Sequence, residues 1–281
     1  MRRNQWLVVL GGIIAVVALY AFGNRTSQGG EAPAVKMATD RAQMDQTPAA
    51  SFEDVLARAH KSLPAEMQVR ISQLESGVTR GDVKQQQLQT YRTLADLWDS
   101  LGHIPIAAHY RGAAGKLENS EKTLTFAANL FLVHQQHAED PAVRSWEIQE
   151  AQDLLEHAEK LAPESDSIQV GLAKTEVATG NVMQGVQRLL KIVNKDPDNI
   201  AANMTLGQLS ITSGQYAKAI GRLEKVVQQQ PENVEALYYL AEAYKNTGKT
   251  KQAIDLFEKC KTLINDPGFS KEIDDYIKSF Q

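Results

Sequence analysis

The sequence predicts an all-α protein, an α-solenoid of repeated helix–turn–helix units that follow an N-terminal membrane span and a flexible tether. Pro163, Pro197 and Pro231 lie 34 residues apart, and Gly180, Gly214 and Gly248 keep the same period. Two residue types that agree on one period indicate a structural repeat. Apolar residues at helical spacing fill the intervals, and an uncharged apolar run opens the chain.

The composition narrows the classes of function. The 281 residues include 30 Lys and Arg against 34 Asp and Glu, a formal net charge of −4. This mild acidity gives no electrostatic case for binding nucleic acid, so no nucleic-acid partner is expected. A single cysteine, Cys260, excludes an internal disulfide and a cysteine-based zinc site. The fold must therefore depend on packing.

The first 22 residues are predicted to form a membrane anchor. Residues 6–22 carry no charge and would form a helix of roughly 26 Å, close to the thickness of a hydrocarbon core. Arg2 and Arg3 precede the run, and positive residues stay on the cytoplasmic side. We therefore expect a single-pass inner-membrane protein with a cytoplasmic N-terminus and a periplasmic C-terminal part. A signal peptide cleaved near residues 21–23 is the alternative.

A tether and a small helical segment follow the anchor. Residues 23–50 are rich in Gly, Ser, Gln and Pro without apolar periodicity, which predicts a flexible linker. Ser51 and Asp54 have the spacing of a capping box, so a helix begins there. Pro64 ends it, and a second helix runs to a turn at 77–81. We interpret residues 51–87 as an N-terminal cap or a degenerate repeat.

The last unit shows the repeat pattern most clearly. Gly248 can adopt the left-handed conformation that ends a helix, and Pro231 precedes the next helix, where its missing N–H costs nothing. Two apolar stripes at helical spacing lie on either side of the glycine: Leu237, Leu240, Ala241 and Tyr244, then Ala253, Phe257 and Cys260.

This pattern resembles the tetratricopeptide repeat, a helix–turn–helix unit of 34 residues. The two preceding units repeat it, with Leu206-Gly207 and Leu172-Ala173 at the corresponding positions. The resemblance implies a right-handed solenoid of about five units over residues 88–265, closed by a C-terminal capping helix over 266–281. Small residues let the two helices of a unit approach closely, while large ones fill the gaps between units.

Two earlier units match less closely. About 11 extra residues, around 138–147, separate the two helices of one unit. In the unit before it, Arg111 stands where a large apolar residue is usual and Asn119 where proline is usual.

The sequence offers no catalytic constellation. His134 and His137 share a face of one predicted helix, but further ligands with metal-binding spacing are missing, so we expect no metal site and no cofactor. Cys260 occupies a position that holds a small buried residue in the family, so we expect a packed, inert thiol. An enzyme is therefore not expected.

The resemblance also implies a binding surface. In tetratricopeptide repeats the first helix of each unit lines the concave groove, chiefly through its second, fifth, ninth and twelfth positions. The basic cluster with which some members grip a C-terminal carboxylate is absent, since Val170 and Met204 take its place. We call the predicted groove residues the first-helix row: Val170, Lys174, Val177, Met204, Gln208, Ile211, Tyr238, Glu242 and Lys245.

These features together predict a membrane-tethered scaffold that binds protein or peptide clients and assists complex assembly or the handling of secreted proteins. Its architecture resembles that of bacterial single-span repeat proteins that serve the secretion translocon or cytochrome c maturation. The alternative is a structural subunit whose groove is filled by its own terminal helix or by a second copy in a homodimer. A mitochondrial outer-membrane receptor would require the reverse topology, which Arg2 and Arg3 disfavour.

Overall fold

The computed structural model describes residues 48–80 and 84–280. These residues form thirteen α-helices and no strand, which confirms the all-helical prediction for this part of the chain. No helix in the described ranges is long and apolar enough to span a bilayer. The predicted anchor at 6–22 and the tether up to residue 47 lie outside the described residues.

The helices follow one another with short connections. They are α1 (Phe52–Lys61), α2 (Ala65–Arg80), α3 (Lys84–Ser100), α4 (Ile104–Glu118), α5 (Glu121–His134), α6 (Pro141–Leu161), α7 (Asp166–Ala178), α8 (Val182–Lys195), α9 (Ile200–Thr212), α10 (Tyr216–Gln229), α11 (Val234–Asn246), α12 (Thr250–Ile264) and α13 (Pro267–Lys278).

The described residues divide into two compact units, 48–188 and 189–280. The first contains α1 to α7 and the start of α8. Its buried cores gather around Trp98 and Phe131. The second contains the rest of α8 and the helices up to α13, with a core around Leu223 and Phe257.

The predicted turns are confirmed at their glycines. Gly180, Gly214 and Gly248 have φ angles of 90°, 72° and 75°, and Gly102 adopts the same conformation with φ 82°. Only glycine adopts this region at little cost, so the chain reverses at these glycines after α3, α7, α9 and α11. In the last unit, the N–H after the glycine, on Lys249, donates to the carbonyl of Tyr244 at 2.9 Å and closes the helix end.

The steric explanation of the repeat is also confirmed. A Cβ atom on Gly207 would lie 2.8 Å from Cγ of Leu223, and one on Gly185 would lie 2.8 Å from Cγ2 of Val177. Real side chains do not approach so closely. The small residues of the pattern are therefore required by direct packing against a large neighbour.

Two departures from the repeat pattern have local explanations. The guanidinium of Arg111 pairs with the carboxylate of Asp99 at 2.8 Å, and its central carbon lies 5.8 Å from the Phe126 ring centre. The arginine thus keeps its charge paired while it packs against a ring. Asn119 has φ 52° and ends α4 in the left-handed conformation, which asparagine tolerates better than most residues.

The capping box at the start of α1 is confirmed. The Asp54 N–H donates to Ser51 Oγ at 3.1 Å, and the Ser51 N–H donates to the Asp54 carboxylate at 3.3 Å. The predicted turn at 77–81 is placed differently, because Gly77 lies inside α2, which continues to Arg80. A Cβ atom on Gly77 would lie 4.0 Å from Cγ2 of Thr90 on α3, so this glycine sits against the neighbouring helix.

The extra residues around 138–147 are mostly helical. Helix α6 begins at Pro141 and is 21 residues long, so the insertion adds about two turns to its start. Asp140 caps it by accepting from the N–H of Ala142 at 2.9 Å. The added turns bury Trp146, whose ring meets Phe131 edge to face with centroids 5.4 Å apart.

The residues before α1 pack on this insertion. The N–H of Ala50 donates to the carbonyl of Ala142 at 2.9 Å. The Phe52 ring stacks on His109 with centroids 3.6 Å apart and lies 6.3 Å from the Trp146 ring. Ordered contacts therefore begin before residue 51, where the sequence places the end of the tether.

Candidate functional site

The first-helix row of the first compact unit is partly exposed. On α7, Lys174 is exposed, Val177 is half-buried and Val170 is buried. A Cβ atom on Gly185 would lie 2.8 Å from Cγ2 of Val177, so the start of α8 packs directly on this valine. Of the three predicted residues on α7, Lys174 and Val177 remain accessible to a partner.

Helix α5 adds two residues that the sequence analysis missed. Phe126 is 54% exposed and Val133 is 44% exposed, although both are large and apolar. They lie seven residues apart, which places them on one face of the helix, away from buried Leu124 and Phe131. In the sequence they can be recognised as a pair of apolar residues, seven positions apart, that lies outside the stripe of buried residues on this helix.

Arg111 borders the Phe126 ring. Its guanidinium contacts the ring face and pairs with Asp99, so an aromatic surface lies beside a neutralised ion pair. The surface accordingly combines apolar area with hydrogen-bonding groups at its edge, as peptide-binding sites do.

In the second compact unit, the row residues of α9 are half-buried. Met204 and Ile211 pack against the cluster that contains Tyr238. The Gln208 amide donates to the Glu235 carboxylate at 2.7 Å, which joins α9 to α11. These contacts give the α9 residues a structural role in addition to the predicted one.

The row residues of α11 are covered. Tyr238 is 3% exposed and Glu242 is 6% exposed. The Tyr276 hydroxyl on α13 donates to the Glu242 carboxylate at 2.6 Å, and Lys245 Nζ donates to its other oxygen at 3.0 Å. The terminal helix of the chain therefore lies against the positions that the repeat pattern assigns to client binding.

The side chains that the sequence analysis considered for metal binding or reactivity make structural contacts. His134 Nδ1 lies 2.8 Å from a Glu147 carboxylate oxygen, so this histidine pairs with α6. In the ranges that the structure describes, no three His, Cys, Asp or Glu side chains gather as a metal site. Cys260 is buried, and desolvation raises its pKa to about 12, so its thiol is unreactive while the fold stays closed.

A polar cleft of about 390 Å³ lies between α6, α7 and the start of α8. Arg188 donates to the Glu176 carboxylate at 2.8 Å and to the Glu159 carboxylate at 3.2 Å. These bonds pair the arginine of the cleft with two of its carboxylates.

Comparison with known proteins identifies the repeat. Residues 147–209 and 210–260 match the family model described as tetratricopeptide repeat. This match agrees with the spacing of the prolines and glycines in the same part of the chain. No curated protein sequence matches the chain.

Several solved structures resemble the chain in fold. YrrB, described as "a TPR protein with an unusual peptide-binding site", is 18% identical, covers 66% of this chain and 91% of its own, and gives a TM-score of 0.41. MamA is 18% identical, with coverages of 63% and 91% and a TM-score of 0.43. MamA from Desulfovibrio magneticus RS-1 is 19% identical, with coverages of 54% and 94% and a TM-score of 0.39. At this level of similarity, nothing that those proteins bind transfers to this chain.

Proposed function

We propose that this protein is a non-enzymatic scaffold that binds protein or peptide segments on the exposed faces of its first helices. The observation that carries the proposal is the pair of exposed apolar residues on α5, Phe126 and Val133, in a chain whose residues 147–260 match the tetratricopeptide repeat. Scattered exposed hydrophobic residues are ordinary, but two on one helix face beside a paired arginine form a surface that an apolar segment fits.

The scaffold is tethered to the membrane in this proposal. Residues 6–22 supply the apolar length, and Arg2 and Arg3 supply the charge asymmetry that retains the N-terminus in the cytoplasm. The repeats then act on the periplasmic side, where a tether of about 28 residues allows the folded part to stand roughly 30 Å from the bilayer. Its clients are proteins that are assembled or handled close to that surface.

Partner capture in native membranes tests the proposal. We expect the variant Phe126→Asp with Val133→Asp to lose about tenfold in crosslinked partners, because the loss of roughly 1.4 kcal/mol of apolar contact reduces binding tenfold. Since Phe126 is 54% exposed and Val133 is 44% exposed, we expect the helices to stay folded. Partners are trapped by chemical crosslinking of the full chain and identified by mass spectrometry.

Val69→Asp is the matched control, because Val69 is an apolar residue that is 58% exposed on α2 and not on α5. Equal capture by wild type and the α5 variant, or an equal loss in the Val69 variant, would show that α5 does not bind clients. Sedimentation of the same variants separates client binding from self-association, since a homodimer closed by this face would dissociate.

A further inference from the structure

Arg222 on α10 is a half-buried cation without a partner. Its guanidinium makes no hydrogen bond, ion pair or ring contact within residues 48–80 and 84–280. Burial lowers the pKa of this group, and no neighbouring carboxylate opposes the shift. Because an arginine keeps its charge in a protein, part of this charge is removed from water without compensation.

The preceding repeat shows what an arginine at this position binds. Arg188 stands 34 residues before Arg222, at the equivalent point of the repeat. It donates to the Glu176 carboxylate at 2.8 Å and to the Glu159 carboxylate at 3.2 Å. Burial by itself lowers the pKa of Arg188, but these two carboxylates outweigh it and raise the pKa above its ordinary value. The two arginines therefore share a place in the repeat and differ in their partners.

Both carboxylates are missing one period later. Ser210 follows Glu176 by 34 residues, and Val193 follows Glu159 by the same interval. The Ser210 hydroxyl donates to the carbonyl of Leu206 at 2.7 Å. Neither the serine nor the valine carries the negative charge that would neutralise the guanidinium.

The packing of α10 on α9 places this serine on the relevant side. A Cβ atom on Gly207 would lie 2.8 Å from Cγ of Leu223, the neighbour of Arg222, so the two helices are in direct contact there. Ser210 lies about one turn further along α9, on the same face as Gly207. The repeat thus keeps its helix pair at this point and has lost only the acidic side chains.

A second cation accompanies Arg222. Lys218 precedes it by four residues, on the same face of α10, and donates to the neutral Gln215 amide at 2.6 Å. Asp198, which approaches this helix from the turn before α9, bonds to Lys225 at 3.1 Å instead. Two positive charges therefore stand together where the preceding repeat balances its arginine.

We propose that Arg222 and Lys218 form a binding site for a carboxylate that an acidic segment of a partner protein supplies. The planar guanidinium binds carboxylates preferentially, and a Glu or Asp side chain of the partner would take the part that Glu176 plays beside Arg188. The site belongs to the second compact unit, whereas Phe126 and Val133 belong to the first. It goes beyond the proposed function and is tested separately.

A fluorescent peptide of alternating Gly and Glu tests the site on the full chain, in an uncharged detergent at low salt. We expect Arg222→Gln to weaken its binding about tenfold, because a charge-assisted hydrogen bond is lost. Fluorescence anisotropy measures the affinity. The control is Lys271→Gln, which removes the same charge from an exposed position of α13 in the same compact unit and should leave binding unchanged.

Restoring a carboxylate should occupy the site from within. Val193→Glu and Ser210→Glu, made separately, reproduce the residues of the preceding repeat. We expect either variant to weaken peptide binding about tenfold and to unfold at a higher urea concentration than the same variant combined with Arg222→Gln. Because Ser210 is buried and Val193 is half-buried, the valine variant provides the test if the serine variant fails to fold.

Equal binding by wild type and Arg222→Gln, or an equal loss in Lys271→Gln, would overturn the inference. Acetate and inorganic phosphate then compete with the peptide at equal ionic strength. Displacement at lower concentrations of acetate supports a carboxylate site, whereas stronger competition by phosphate would assign a phosphate group and overturn the proposal. If the peptide binds while Phe126→Asp with Val133→Asp captures partners as wild type does, this site stands and the proposed function fails.

Discussion

Glu147 carries a buried charge that the sequence pattern does not reveal. Its side chain is 0% exposed, and one carboxylate oxygen lies 2.8 Å from His134 Nδ1. The other oxygen has no hydrogen-bond partner within the described part of the chain. Desolvation raises the pKa of this carboxyl, while the contact with His134 opposes the shift.

The stability contributed by Glu147 should therefore depend on pH. A carboxyl with a raised pKa in the folded state binds its proton more tightly after folding, so its contribution is fully present below the unfolded pKa and is lost as pH rises through the folded pKa. We expect the free energy of unfolding of wild type, relative to Glu147→Gln, to increase as pH falls from 7 towards about 4.5. Urea unfolding of both proteins across this range measures the difference.

Glu150→Gln serves as the control for the substitution itself, because Glu150 also pairs with a histidine, His109 at 3.2 Å, but is 24% exposed. A Glu147 difference that is flat, or that favours wild type as pH rises, would contradict the assignment of burial as the dominant cause.

Helix α1 and the inserted turns at the start of α6 pack against each other. Ala142 and Trp146 of the insertion contact Ala50 and Phe52, while Asp140 pairs with Arg58 at 2.8 Å. Phe52 and Val55 pack against both apolar clusters of the first compact unit. The insertion therefore forms the surface on which α1 packs, and α1 contacts both apolar clusters.

Phe52 should be the anchor of this contact. We expect Phe52→Ala to destabilise the first compact unit by about 2 kcal/mol, less than for a fully buried phenylalanine because the ring is half-buried. Amide exchange over residues 52–61 should accelerate before the repeats unfold. Hydrogen exchange and urea unfolding of the full chain provide the two measurements.

Arg58→Ala is the comparison, since Arg58 is 58% exposed and its ion pair lies in solvent. It should cost less than about 1 kcal/mol. If the arginine variant released α1 as fully as the phenylalanine variant, the charge pair would be the anchor and the aromatic contact secondary.

The whole molecule combines repeats with a predicted anchor. Arg2, Arg3 and the apolar run at 6–22 predict membrane attachment with the repeats outside the cytoplasm. We expect deletion of residues 2–22 to release the chain from the membrane fraction, because no other segment supplies a comparable apolar length. Alkaline extraction followed by immunoblotting measures the release.

A C-terminal reporter that is active only outside the cytoplasm measures the orientation. It should be active on the full chain and inactive after the deletion. If alkali extracted the intact chain, the predicted anchor would be wrong. If a reporter that is active only in the cytoplasm were active at the C-terminus, the predicted orientation would be wrong.

The sequence by itself determined the repeat, the glycine turns within it and the terminal helix. These depend on local rules: glycine alone tolerates the left-handed turn, and a period of 34 residues repeats the same helix pair. Small residues such as Gly207 could be assigned to close packing for the same reason, because the pattern already places a large residue opposite.

Only the tertiary structure decided which row residues stay accessible and what the insertion does. Arg58 and Asp140 are 82 residues apart, so no local pattern relates them. Glu242 and Tyr276 are 34 residues apart, which is one repeat period, but the period does not say that their side chains bond. Burial and hydrogen bonding depend on which elements meet in space, whereas periodicity records only the face that each helix presents. For this reason the sequence left open whether Tyr238 and Glu242 line a free groove, whereas the structure shows that both side chains are buried.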